Sequence, residues 1–127
     1  MNELETAVAN ALANSEDNKT INKAYLEFIK ANFIVPIEKF PGGEEPEVLF
    51  YQEDDKVFLP VFSSMNYFDS WAEPIKDEIQ LLKLSGVDLL KGIGKEVIVA
   101  LNIGSAIYKE FNTSEIERMR SMVLKIM

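Results

Sequence analysis

The chain has 127 residues, a formal net charge of −8 at pH 7, and neither histidine nor cysteine. Those absences exclude Ser-His and Cys-His nucleophiles, thiolate metal sites and disulfides, and remove the commonest general base near neutral pH. The acidic balance argues against nucleic acid, whose binding rests on phosphate neutralisation, and against anionic membrane surfaces.

A hydrophobic content of 47% and a mean hydropathy of −0.03 are those of a globular protein. The length suits a single domain over residues 1–127, and no stretch approaches the ~18 apolar residues of a membrane span. Met1-Asn2-Glu3-Leu4-Glu5 is acidic where an export signal is basic, which with the missing cysteines points to the cytoplasm.

Leu4, Val8, Ala11 and Leu12 recur at helical spacing and predict an amphipathic helix over residues 2–13. Residues 15–18 interrupt it and offer caps for a second helix over about 20–31. That helix carries Ile21, Tyr25, Phe28 and Ile29 on one face, with Lys23, Glu27 and Lys30 elsewhere. So short a polar turn between them predicts a helical hairpin.

Residues 33–37 are β-rich but contain Pro36, which fits a short or edge strand. Residues 40–46, with paired prolines and glycines, read as an exposed loop. Strands over 47–52 and 56–62, joined by Glu53, Asp54 and Asp55, form a hairpin, with Pro60 marking an edge or bulge. Ser63 is placed to cap a short helix holding Phe68 and Trp71 and stopping near Pro74.

A strand over 78–84 leads through Ser85 and Asp88 into a short helix over 87–91, which Gly92 or Gly94 ends. The strand over 96–101 is apolar from Val97 to Leu101, as suits a strand covered on both faces. Strand, short helix and strand in this order predict a parallel crossover, although the connection is tight. Residues 108–111 form a brief extended piece, and Asn112, Thr113 and Ser114 cap a final helix. Ser114 and Glu117 have capping-box spacing, and Ile116, Met119, Met122, Val123 and Ile126 make the apolar stripe. The sum is an α/β or α+β fold with a mixed sheet of about five strands, an N-terminal helical hairpin, short connecting helices and a C-terminal helix.

Three stretches carry a family resemblance. Leu59-Pro60-Val61-Phe62-Ser63-Ser64, followed by an aromatic helix with Trp71, resembles a signature segment of the SseB N-terminal domain family. Leu101-Asn102-Ile103-Gly104-Ser105, with Tyr108-Lys109-Glu110-Phe111 and a helix opening on Glu115-Ile116, resembles its closing segment. Phe33-Ile34-Val35-Pro36 is similar to its entry strand, so the likeness runs from about residue 4 to residue 120. The family's Asn-Pro-Gly-Ser turn has Ile103 in place of proline here, which removes a fixed φ. The resemblance implies a bacterial α/β domain linked by name to serine tolerance, and it implies no catalytic residues.

The turn after the apolar strand is the leading site candidate, through Asn102, Gly104, Ser105, Tyr108 and Lys109. Backbone N–H groups there can cradle an anion or a carboxylate, with Lys109 adding charge. In the alternative reading, Asn102 and Ser105 bond the local backbone while Gly104 supplies positive φ. Glu44, Glu45 and Glu47, then Glu53, Asp54 and Asp55, then Asp77 and Glu78 lack calcium-loop spacing and read as solvated acids. Met119, Met122 and Met127 suit either an adaptable docking face or core, as do Tyr67, Phe68 and Trp71 for a groove or core.

The expected function is a non-enzymatic interaction module that binds a protein partner or itself, with no cofactor and no metal. The alternative is a small-ligand domain taking an amino acid or anion at the turn. A hydrolase working through carboxylates alone is a third possibility.

Overall fold

The computed structural model describes residues 2–39 and 48–126. The expected loop over 40–46, the carboxylates Glu44, Glu45 and Glu47, the Ile126 side chain and Met127 lie outside the described residues. The chain runs α1 (Glu3–Ala13), α2 (Asn18–Lys30), β1 (Asn32–Glu38), β2 (Tyr51–Glu53), β3 (Lys56–Val61), α3 (Met65–Ala72), β4 (Ile79–Ser85), α4 (Gly86–Gly92), β5 (Val97–Leu101), β6 (Lys109–Phe111) and α5 (Thr113–Ile126). A single 3-10 turn, Glu73–Ile75, follows α3. The class is α+β, with the helical pair in front and a helix at the end.

The helix starts follow capping chemistry. At α1, the Asn2 side chain accepts from the Glu5 N–H at 2.8 Å and the Glu5 carboxylate accepts from the Asn2 N–H at 2.9 Å, a reciprocal capping box. Asp17 caps α2 by accepting from Lys19 N–H at 2.9 Å, which starts that helix ahead of the expected residue 20. At α5 the box is formed by Asn112 and Glu115, not by Ser114 and Glu117: Glu115 N–H donates to Asn112 at 2.9 Å and Asn112 N–H to Glu115 at 3.2 Å. Asn is a strong cap, and β6 ends just before it, leaving its N–H free for the box. The N-cap position of α3 is Ser64 rather than Ser63, and its side chain makes no capping bond there.

Two β-units meet in one body. The larger has the order β2-β3-β5-β6, with β3 and β5 parallel and both outer pairs antiparallel. The smaller is β1 antiparallel to β4 over its full length, from Asn32 opposite Ser85 to Glu38 opposite Ile79. Ile34 and Phe62 exchange backbone hydrogen bonds of 2.8 and 2.9 Å, joining β1 to the end of β3. The expected parallel crossover from 78–84 to 96–101 is therefore absent. A parallel return needs about a dozen residues or more, and α4 with its short flanks is too brief. The parallel partner of β5 is β3, reached through α3, β4 and α4 together.

In the hairpin, Glu53 pairs with Lys56, leaving a two-residue turn of Asp54 and Asp55 with φ of 51° and 65°. This is the type I′ geometry that matches strand twist.

The main core gathers Phe28, Phe33, Leu59, Leu90, Leu101, Phe111 and Met119 with their neighbours between the sheet and α2, α4 and α5. Phe28 packs against Phe33 and Phe111 with ring centroids at 4.6 and 5.0 Å. The other face of β1 supplies Ile34 to a second cluster with Phe62, Phe68, Ala72 and Ile79, which Trp71 covers. Met119, Phe68 and Trp71 thus pack in cores, and Met122 packs against the first. Glu27 departs from the expected polar face: it is 3% exposed. Lys23 at 2.9 Å and Lys30 at 3.6 Å bracket it along α2. Contact with Lys23 holds the carboxyl below its usual range against the opposing effect of burial. Among the described residues, no helix is long and apolar enough to cross a membrane.

Candidate functional site

The parallel strands β3 and β5 end side by side at Val61 and Leu101. The next residue, Asn102, donates its N–H to Val61 O at 2.9 Å and sits at φ 56° with no exposed surface. Asn tolerates this left-handed conformation better than most side chains. Its carboxamide accepts from Ser63 N–H at 3.0 Å and donates to the Ser63 hydroxyl at 2.8 Å. The Ser63 hydroxyl donates in turn to Glu5 at 2.5 Å, and the Ser64 hydroxyl reaches the same carboxylate oxygen at 3.0 Å. Asn2 closes the group by donating its side-chain N–H to Ser63 O at 3.2 Å.

The result is a directional chain, Asn102 to Ser63 to Glu5, that ties the ends of both parallel strands to the start of α1. Glu5 is 4% exposed. Burial by itself raises its carboxyl, but hydrogen bonds from Ser63, the Asn2 N–H and Ser64 together outweigh that and hold it below the usual range. The N-terminal end of α1 also favours a negative charge there.

The five sequence candidates are not directed to one place. Gly104 takes φ 85°, and Ser105 turns back on its own loop. The Ser105 hydroxyl donates to Asn102 O at 2.8 Å and accepts from Ile107 N–H at 3.2 Å. Tyr108 donates its hydroxyl to Glu110, and burial followed by this bond pushes its phenol up. Lys109 meets Glu115 at 3.2 Å and lies 4.9 Å from the centre of the Phe111 ring. The Tyr25 hydroxyl donates to the same Glu115 at 2.8 Å, and burial, then Glu115, raises its phenol as well. Asn102 thus faces inward, Ser105 faces its own turn, Tyr108 bonds Glu110 of β6, and Lys109 meets Glu115 at the start of α5.

Sequence reasoning missed Glu5 and misread Ser63. The Asn2-to-Glu5 spacing signals a capping box, but nothing local shows that the carboxylate also receives two serines 58 and 59 residues away. Ser63 and Asn102 come from the two longest stretches of the family resemblance, and the structure brings these stretches together.

A second feature involves α4 and α5. Between α4 and α5 runs a groove of about 430 Å³ with Val87, Leu90, Ile93, Val123 and Leu124 along it. Arg120 fixes the two helices, donating to Leu90 O at 2.9 Å and Ile93 O at 2.6 Å while pairing with Glu117. A guanidinium on the last carbonyls of α4 both satisfies them and opposes the helix dipole. Among the described residues, no group of three or more acidic side chains is placed to hold a metal ion.

No curated protein and no solved structure matches the chain. Residues 4–118, nearly the whole chain, match the family described as the SseB protein N-terminal domain. The chain is a member of the SseB N-terminal domain family.

Proposed function

We propose that this domain is a non-enzymatic protein-interaction module that binds through the groove between α4 and α5. The observation that carries the reading is Leu124, 81% exposed at the edge of a groove whose apolar wall already includes Val87, Ile93 and Val123. A single exposed leucine is ordinary, but one that extends an apolar concavity marks a contact surface. An amino acid or anion at Asn102, Gly104, Ser105, Tyr108 and Lys109 is the weaker alternative. Asn102 and Ser105 spend polar groups inside the fold, and Lys109 already faces Glu115.

The test is parallel capture from native extract with the wild-type chain and Leu124→Asp. A protein retained by the first and lost from the second supports the reading. Capture of nothing, or of the same proteins by both, together with a strict monomer in solution, refutes it.

A further inference from the structure

We infer that the occupant of the α4–α5 groove is a partner segment whose apolar side chains are flanked by carboxylates, an acidic amphipathic helix. This rests on the interaction reading above and specifies its chemistry. The groove's charged lining is Lys91, Lys95, Arg120 and Glu117, cationic in balance, whereas the whole chain is −8. Arg120 and Glu117 satisfy each other. Lys91 and Lys95 are exposed, and among the described residues neither has an ion-pair partner. The acids nearest in sequence, Asp88 and Glu96, do not line the groove.

An apolar wall with two unpaired ammonium groups beside it complements leucine-type anchors with Glu or Asp at neighbouring helical positions. A basic segment meets repulsion there, and a neutral one leaves both lysines unused. A two-fold contact with a second copy, groove against groove, is disfavoured because it sets Lys91 and Lys95 against their own counterparts.

The experiment is NMR titration of the labelled wild-type chain with three synthetic peptides. All three carry leucines at i, i+3 and i+7, and their remaining positions are rich in Glu, in Lys or in Gln. The acidic peptide is expected to shift the amides of Val87, Ile93 and Leu124. Charge reversal at Lys91→Glu with Lys95→Glu, both at exposed positions, is expected to weaken it about tenfold, since two exposed pairs are lost and repulsion is added. Salt is expected to weaken it as well.

Equal binding of the basic peptide overturns the inference, as does the absence of any shift at these three positions with all peptides. Light scattering supplies the remaining arm. A dimer that Leu124→Asp dissolves makes the occupant a second copy, which overturns the acidic partner and leaves the interaction module standing. If capture also yields no Leu124-dependent protein and the chain stays monomeric, the module itself fails.

Discussion

Replacing Asn102 with alanine tests the polar clasp most directly. The substitution removes two hydrogen bonds to Ser63, of 3.0 and 2.8 Å, each worth about 1 kcal/mol net. It also places alanine at φ 56°, where a side chain with no local hydrogen bond costs roughly 1 kcal/mol more. The expected loss is about 3 kcal/mol, a large share of the roughly 5–15 kcal/mol that holds a domain together. Asn102→Gly relieves the backbone part and is expected to be about 1 kcal/mol less damaging than alanine. Urea unfolding followed by the fluorescence of Trp71, the only tryptophan, reads both variants. With a slope of about 2 kcal/mol per molar, alanine should lower the midpoint by about 1.5 M. A shift under about 0.5 M, or glycine no better than alanine, refutes the account of Asn102 as a structural clasp with a left-handed backbone.

The clasp also makes a pH prediction. Glu5 has a folded value below its ordinary 4.5, so its contribution is present above that value and is lost as pH falls through the folded one. Wild type should therefore lose stability relative to Glu5→Gln as pH drops below about 4.5, and parallel curves in acid denaturation would count against the clasp. At Gly86, a Cβ would stand 2.0 Å from Phe28 O and 2.8 Å from Ile29 O, so Gly86→Ala forces α4 from α2. That variant should lose about 3 kcal/mol or more by urea midpoint, and a near-neutral result would refute the close approach. In the hairpin, the pair Asp54→Asn with Asp55→Gly suits the type I′ turn better and should stabilise by about 0.5–1 kcal/mol. A lower thermal midpoint for that pair would show the turn geometry to be wrong.

Periodicity alone placed most of the apolar faces of α1, α2 and α5 and the buried end of β5, although Leu12 of the α1 stripe is exposed and Val97 and Ile98 are only half-buried. Those patterns depend only on which residues share a face, and Leu4, Val8, Phe28, Val99, Ile116 and Met119 are all buried as spaced. The family was legible too, because its signature is a string of residues. What the sequence left open was pairing. Nothing in residues 78–84 distinguishes a strand that continues into β5 from one that runs antiparallel to β1, and only the reach of the connecting chain decides it. Burial of polar groups was equally hidden. Glu27 is paired within its own helix by Lys23 and Lys30, whereas Glu5 waits for hydroxyls 58 and 59 residues away. The turn after β5 shows the division best. The sequence determined that a polar, glycine-containing turn follows an apolar strand. Tertiary structure alone decided that Asn102 faces inward to Ser63, because the partner that satisfies a buried amide lies 39 residues away and local pattern carries no record of it.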